Sequence, residues 1–315
     1  MGTVDLIKNS AKRIIPARGR YMIRQILNAP LRGMSSAQYW TRHNVTEHRR
    51  FPNAQASFEY FNWRNSQYPG SIELLPLDQA SGKVVLDYGC GPGNDLVGFS
   101  LSSKPKRMIG ADVSTSSIAE SKARLATHGF NNVELIVLSG TSVAMPIADR
   151  SIDIVHSAGV LHHLPDIEQA LREIRRVIAD TGYCQIMVYN YNSIWMHLYA
   201  GHVYKKMFYW RKQIPKQDIF KITTDGEECP IVNCYTPDQF AAIAARCGFR
   251  CEFQGAAMSL SEMMWLPRRF EALKNESLDP EGREFLLNLT FDHRGFPMHR
   301  GHVAGVNSYY RLYPV

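Results

Sequence analysis

The chain contains no run of about 18 consecutive apolar residues, so the sequence predicts no membrane-spanning helix. The start of the chain has no secretory apolar core, and we expect a cytoplasmic protein. Internal repeats and low-complexity tracts are also absent. The six cysteines, at positions 90, 184, 229, 234, 247 and 251, lack the paired spacing of a zinc site, so we expect buried thiols and no bound metal.

Excess positive charge is scarce outside the first fifty residues. The whole chain has 36 Lys and Arg against 29 Asp and Glu, which gives a net charge of +7. Residues 1–50 alone contain ten of these bases and two of the acids, so the remainder is close to neutral. A basic face of the kind that nucleic-acid enzymes carry is therefore not expected.

The basic N-terminal segment has the pattern of an amphipathic helix. Ile7, Ala11, Ile14 and Ile15 fall on one helical face, with lysines and arginines between them. Such a helix either lies on an anionic membrane surface or packs on the main domain with its charged face in water. Both interpretations remain open at this point, and the oligomeric state cannot be read from the sequence.

The rest of the chain is organised around a glycine-rich turn. The apolar run Val84–Leu86 predicts a strand, Asp87 closes it, and glycines follow at positions 89, 91 and 93 before a helix begins. Glycine lets a ligand approach the main chain closely at the N-terminus of that helix. A dinucleotide fingerprint would need glycine at position 94, where the chain has Asn94, so an NAD-dependent oxidoreductase is disfavoured.

The next strands carry further polar markers. The second strand ends at Asp112, about 20 residues after the turn, where a nucleotide-binding sheet places a carboxylate for the ribose hydroxyls. The third strand, 133–138, leads into the loop that contains Thr141. The fourth strand, 152–157, is followed by the sequence Gly159-Val160-Leu161-His162-His163.

Together these motifs resemble the class I S-adenosylmethionine-dependent methyltransferases, and the methyltransferase type 11-like group in particular. The resemblance implies an α/β, Rossmann-like fold with a seven-stranded sheet, helices on both faces and an antiparallel last strand over 306–313. It implies a methyltransferase domain over 81–315 with lid inserts at about 190–234 and 256–302. Residues 1–80 are expected to form a helical N-terminal extension and lid.

The resemblance also implies S-adenosylmethionine as the cofactor, without a metal. Arg64, in an aromatic segment before the first strand, is expected to contact the methionine carboxylate, since guanidinium groups bind carboxylates through paired hydrogen bonds. Thr141 stands where the family usually has an acid. The predicted cofactor-binding residues are Arg64, Asp87, Gly89, Cys90, Gly91, Gly93, Asp112, Val113, Thr141, Ser142, Ser157 and Gly159.

For the reaction, His162 and His163 are the candidate bases because imidazole titrates near neutral pH, with Tyr191 and His197 as further candidates. The expected activity is methyl transfer to an oxygen or nitrogen nucleophile of a small-molecule acceptor. Two alternatives remain open: an acceptor that is lipid-linked or membrane-associated, and a protein that binds S-adenosylmethionine without catalysis.

Overall fold

A seven-stranded sheet forms the centre of the computed structural model, which describes residues 34–209 and 214–315. The strands are β1 (Val84–Tyr88), β2 (Arg107–Asp112), β3 (Glu134–Val137), β4 (Ile152–Ala158), β5 (Ile178–Tyr189), β6 (Phe249–Ala257) and β10 (Asn307–Pro314). Their order across the sheet is β3-β2-β1-β4-β5-β10-β6. The first five pair in parallel, and β10 runs antiparallel to both β5 and β6. The predicted α/β fold with an antiparallel last strand is confirmed.

Short elements and helices connect these strands. The helices are α1 (Ser36–Arg42), α2 (Ala54–Ser66), α3 (Ser71–Leu74), α4 (Asn94–Ser102), α5 (Thr115–Thr127), α6 (Ile167–Val177), α7 (Lys205–Phe208), α8 (Lys216–Thr224), α9 (Pro237–Arg246), α10 (Leu260–Trp265), α11 (Arg269–Lys274) and α12 (Pro280–Leu287). The short 3₁₀ segments are Leu161–His163 and Leu266–Arg268, and Trp195–Tyr204 is a π-helix. A second, three-stranded sheet consists of β7 (Thr290–Phe291), β8 (Pro297–His299) and β9 (His302–Val303).

Helices cover both faces of the large sheet because its parallel strands are apolar on both sides. On one face α4 and α5 bury Leu96, Phe99 and Leu125 against the sheet. On the other face α6 and α9 do the same with a second set of buried side chains, among them Leu171 and Phe240. Residues 36–315 form one compact unit.

Side-chain caps fix where the helices beside the cavity begin. The Ser114 hydroxyl accepts from the backbone N–H of Ser117 at 3.1 Å, and Asp166 caps α6 through the N–H of Gln169 at 2.9 Å. Such caps satisfy N–H groups that the first helical turn leaves without a partner. A short polar residue directly before a helical pattern is typical of an N-cap, so the sequence predicts Ser114 and Asp166 in this role, and the structure confirms both. The sequence predicts the fifth strand over 183–189. Strand β5 instead begins at Ile178, because the chain passes from α6 directly into the strand.

A buried carboxylate joins the C-terminal insert to the sheet. Glu262 is fully buried in α10, and its Oε1 accepts from the backbone N–H of Trp195 at 3.0 Å. Its Oε2 accepts from the N–H groups of Ser259 and Val306 at 2.7 and 3.2 Å. Since buried backbone donors need partners, this one side chain fixes three segments of chain against each other.

The basic amphipathic pattern of residues 7–15 lies outside the described residues, so the choice between membrane contact and packing on the domain stays a prediction. Within 34–209 and 214–315, the helices are all too short or too polar to cross a bilayer. The same residues contain no cluster of three or more His, Cys, Asp or Glu side chains that could hold a metal ion.

Candidate functional site

A cavity of about 640 Å³ opens at the carboxyl ends of the parallel strands. Tyr88, Asp112, Ala158 and Tyr189, which stand at or beside the ends of β1, β2, β4 and β5, all line it. In open α/β sheets, ligands bind at this edge, and the volume is typical of small-molecule sites, which span roughly 300–1,000 Å³. The cavity is therefore the candidate site.

The glycine turn forms one wall of the cavity. Gly89 and Gly91 have φ values of +79° and +51°, which side chains rarely adopt, and both line the cavity. A Cβ at Gly91 would meet nothing within 4 Å, so open space lies directly over its backbone. The turn thus presents main-chain atoms to a ligand at the N-terminus of α4.

Gly89 is additionally confined by its neighbour. A Cβ built on Gly89 would overlap both methyl groups of Val160. We expect Gly89→Ala to lower the free energy of unfolding by about 2–4 kcal/mol, through the positive φ and the overlap together. The Gly89→Ala, Val160→Ala double variant should recover the part due to overlap. Chemical denaturation of the three proteins measures this, and equal stability of the single and double variants would contradict the account.

Asp112 connects the end of β2 to the glycine turn. Its Oδ2 accepts from the backbone N–H of Gly91 at 2.8 Å, and its Oδ1 accepts from the N–H of Ser114 at 2.8 Å. Burial raises the pKa of Asp112, and the Ser114 and Gly91 hydrogen bonds oppose that rise. The carboxylate therefore holds the turn in place while it lines the cavity, and its contact with a ribose remains a prediction.

A charged network lies beneath the turn. Arg64 Nη1 pairs with Asp95 Oδ1 at 3.1 Å, and Asp95 Oδ2 is 3.1 Å from His156 Nε2. Although burial favours the neutral acid, the Arg64 charge and the His156 hydrogen bond hold the pKa of Asp95 well below its usual value. Arg64 lines the cavity, and its contact with a methionine carboxylate stays a prediction. One of its nitrogens is committed to Asp95, a contact that the sequence did not reveal.

Asp87 lies next to this network and is 2% exposed. Its Oδ2 is buried and has no hydrogen-bond partner among the described residues. Burial raises the pKa of Asp87, and the neighbouring His156 opposes the rise. An unpaired, buried carboxylate oxygen at the cavity wall fits a cationic group of a ligand, because a charge without a partner is costly to bury.

Five other predicted residues complete the lining on this side. Thr141 and Ser142 stand in the exposed loop after β3, where the hydroxyls of Thr141 and Ser139 are 3.0 Å apart. The remaining lining residues from the prediction are Cys90, Val113 and Gly159. The predicted set is thus largely brought together at one cavity, while the contacts assigned to each member stay predictions.

Three of the predicted residues do not reach the cavity. Gly93 stands behind the turn as the N-cap residue of α4, and the Ser157 hydroxyl points into the sheet, where it donates to the carbonyl of Tyr88 at 2.9 Å. His162 is fully buried, and its Nδ1 accepts from the backbone N–H of Tyr189 at 3.3 Å. Burial lowers the pKa of His162 well below its usual value, so the ring is a weak proton acceptor, and it does not line the cavity where a ligand would bind.

The weaker candidates for the base are also engaged elsewhere. The Tyr191 hydroxyl donates to Glu281 at 2.7 Å, and His197 is buried beside Lys216, with its Nδ1 3.3 Å from the lysine Nζ. Neither residue lines the cavity. Both belong to a separate polar cluster between α8 and α12.

His163 does line the cavity. Its Nδ1 is 2.8 Å from the carbonyl oxygen of Ile231, which can only accept, so the neutral ring carries its proton on Nδ1. Its Nε2 lies 3.5 Å from Asp225 Oδ1. The Tyr189 hydroxyl donates to the same carboxylate oxygen at 3.2 Å. The arrangement places the imidazole Nε2 and a carboxylate side by side at the cavity wall.

Comparison with known proteins identifies the family of the chain. The family model for a methyltransferase domain matches residues 79–245, just over half of the chain. The chain belongs to the methyltransferase-domain family. Its methyltransferase domain uses S-adenosylmethionine, and the glycine turn, the acid of β2 and the orphaned Asp87 oxygen suit that cofactor, which carries a cationic ammonium and sulfonium.

Similarity in sequence to individual proteins covers about a third of this chain. The chain is 37% identical over 113 residues to an uncharacterised 37.1 kDa protein in transposon TN4556 of Streptomyces fradiae, covering 36% of this chain and 32% of that protein. It is 33% identical over 104 residues to the ubiquinone/menaquinone biosynthesis C-methyltransferase UbiE of Hahella chejuensis, covering 32% and 41%. The chain thus spans about a third and about two fifths of the lengths of these two curated relatives.

Solved structures extend the likeness in fold. A chain of the Haloferax volcanii complex that contains the Trm112 methyltransferase activator superposes with a TM-score of 0.50. It is 16% identical and covers 85% of this chain and all of that one. At this identity the match shows that the two chains share the methyltransferase fold, and it carries no information about the acceptor.

Sequence reasoning missed Asp225, Asp95 and Tyr189 as cavity residues of the methyltransferase domain. Asp95 directly follows the glycine motif, and its position in the first turn of a helix was a usable signal. Tyr189 ends the predicted fifth strand, so it too could have been proposed. Asp225 lies in a turn-rich loop with no motif, and only the folded chain brings it next to His163.

Proposed function

We propose that the protein methylates an oxygen or nitrogen nucleophile of a small molecule, with His163 as the base. The observation that supports this most directly is that one cavity is lined both by the glycine turn for the cofactor and by His163, whose Nδ1 is engaged by the Ile231 carbonyl and whose Nε2 lies beside Asp225. A hydroxyl or amine acceptor must lose a proton, whereas the cofactor's methyl group is already activated.

When bound, S-adenosylmethionine supplies a methyl group whose bond to sulfur breaks, leaving the electron pair on sulfur, as the bond to the acceptor forms. The chain's own contribution is to position the acceptor and to accept its proton. The Ile231 carbonyl holds His163 with Nδ1–H directed away from the cavity, which leaves Nε2 as the proton acceptor. A proton taken up there lies towards Asp225, whose carboxylate stabilises the imidazolium.

The acceptor side of the cavity is enclosed by the two inserts in this proposal. The insert at about 190–234 supplies Asp225. The insert at about 256–302 supplies Ser259, Leu260 and Ser261, which line the cavity together with Asn307. These segments would act as the lid expected from the sequence. Their position over the carboxyl edge of the sheet supports that role.

A lipid-linked acceptor is a second candidate, which one feature favours. Trp63, Ile72 and Leu260 line the cavity and are 56%, 40% and 44% exposed, so its rim has an apolar character. An apolar rim suits an acceptor with a hydrophobic arm.

The deciding experiment supplies methyl-labelled S-adenosylmethionine together with fractionated small-molecule, lipid and RNA extracts. Label in the small-molecule fraction supports the first proposal, and label in the lipid fraction supports the second. Label in RNA would contradict both. A wild-type protein that transfers label to no fraction would remove the proposed function altogether.

A further inference from the structure

We propose that the acceptor is an amine, which binds in its cationic form to the Asp225 carboxylate before His163 deprotonates it. This inference rests on the proposed function and narrows it to one class of substrate. It depends on the contacts of Asp225, on the charges that line the cavity and on the aromatic side chains around His163.

The two oxygens of the Asp225 carboxylate differ in their contacts. Burial raises the pKa of Asp225, and His163 and the Thr224 and Tyr189 hydroxyls oppose that rise. Oδ1 accepts from the Tyr189 hydroxyl and faces His163 Nε2. Oδ2 is buried and has no hydrogen-bond partner among the described residues, although the side chain lines the cavity and is only 10% exposed. An unsatisfied carboxylate oxygen is costly to bury, so a ligand that donates a hydrogen bond to it is favoured. A cationic donor forms the strongest such bond.

The charges around the cavity favour the same occupant. Among the described residues that line it, four are acids, Asp87, Asp95, Asp112 and Asp225, and Arg64 is the one lysine or arginine. Arg64 is paired with Asp95, and the proposed cofactor site takes Asp87 and Asp112. Asp225 is the acid left over. With no uncommitted cation in this lining, the cavity opposes an acceptor that carries phosphate or carboxylate near the reacting atom.

Aromatic rings surround the same point. The ring of Trp40 lies 4.8 Å from that of His163, the Tyr189 ring lies 6.0 Å from it, and both rings line the cavity with Tyr68. Aromatic faces attract ammonium groups, and the attraction strengthens where water is excluded. A carboxylate beside aromatic rings therefore favours an amine over an alcohol of the same shape.

The proton balance of the pair fits this sequence of events. The bound ammonium transfers one proton to His163 Nε2, which restores the lone pair on nitrogen that the methyl group needs. The protonated ring then donates towards Asp225, and the methylated nitrogen, with its new bond, is again a cation. Burial raises the pKa of Tyr189 well above its usual value, so its hydroxyl stays protonated and keeps donating to Asp225 throughout.

Binding can be tested without turnover, on the full chain saturated with S-adenosylhomocysteine. Calorimetry would compare two amines with their alcohol counterparts: phenethylamine with phenethyl alcohol, and hexylamine with hexanol. We expect each amine to bind at least about tenfold more tightly than its alcohol, the effect of one charge-assisted hydrogen bond. Asp225→Asn should abolish this preference, and Asp78→Asn, at an exposed acid outside the cavity, should retain it.

The wild-type comparison alone can overturn the inference. A wild-type chain that shows no preference for the amines, including one that binds neither member of a pair, would contradict it, as would an Asp225→Asn variant that folds and keeps the preference. Label transfer to hydroxyl compounds together with such a result would reject the amine and leave the proposed function standing. Absence of all label transfer would instead reject the proposed function itself.

Discussion

Replacing Asp112 by alanine is expected to weaken binding of S-adenosylmethionine by about 100-fold or more, since hydrogen bonds to a charged group contribute roughly 1.5–3 kcal/mol each. The carboxylate accepts from the N–H groups of Gly91 and Ser114. Its removal therefore releases the glycine turn and also removes the predicted contact with the ribose. S-adenosylhomocysteine should lose affinity to a similar degree because it has the same ribose. Isothermal titration of both ligands measures the effect.

Two variants separate a loss of binding from a loss of fold. Asp112→Asn keeps one oxygen as an acceptor and should fall between wild type and Asp112→Ala. Asp78→Asn changes an exposed acid and should bind as wild type does. Circular dichroism at the titration temperature shows whether each variant is folded. A folded Asp112→Ala protein with unchanged affinity for both ligands would contradict the assignment of Asp112, at the end of β2, to cofactor binding.

The second large effect concerns the base. His163→Gln should lower kcat by about 10²–10⁴, the range that positioned proton transfer contributes, while the affinity for S-adenosylmethionine stays near that of wild type. Glutamine can still donate to the Ile231 carbonyl, but it offers no basic nitrogen at the position of Nε2. The kcat is measured with the acceptor found by label transfer, and cofactor affinity by titration.

His293→Gln is the matched control, since His293 is exposed and lies outside the cavity. It should leave both kcat and cofactor affinity unchanged. A His163→Gln protein with wild-type kcat would show that proton removal does not depend on this ring. Reduced cofactor affinity with unchanged kcat would instead place His163 against the cofactor.

Much of the cofactor side could be predicted because it is encoded locally. The strand, the glycine turn and the helix of residues 84–99 follow one another in the chain, so their geometry depends on backbone preferences that neighbouring residues set. Asp112 stands at the end of β2, which is the next strand in the chain after α4. Gly93 and Ser157 were predicted to bind the cofactor but do not line the cavity. The direction that a residue faces within a turn or strand depends on what packs against it, and neighbouring residues do not determine this.

The two adjacent histidines show most clearly what could not be predicted from the sequence. His162 and His163 are adjacent and chemically equal in sequence, yet one is enclosed behind Tyr189 and the other faces the cavity. The difference arises from the 3₁₀ turn of Leu161–His163, which directs consecutive side chains to different sides. No local pattern distinguishes them, since the surrounding segments that bury one ring come from distant parts of the chain.

The sequence by itself determined the class of fold, the glycine turn, the acid after the second strand and the helix caps, since each depends on residues close together in the chain. The tertiary structure alone decided which histidine faces the cavity, that Arg64 is committed to Asp95, and that Asp225 lies beside His163. Residues 163 and 225 are far apart in the chain, and burial and charge pairing between such residues arise only when the insert packs over the edge of the sheet.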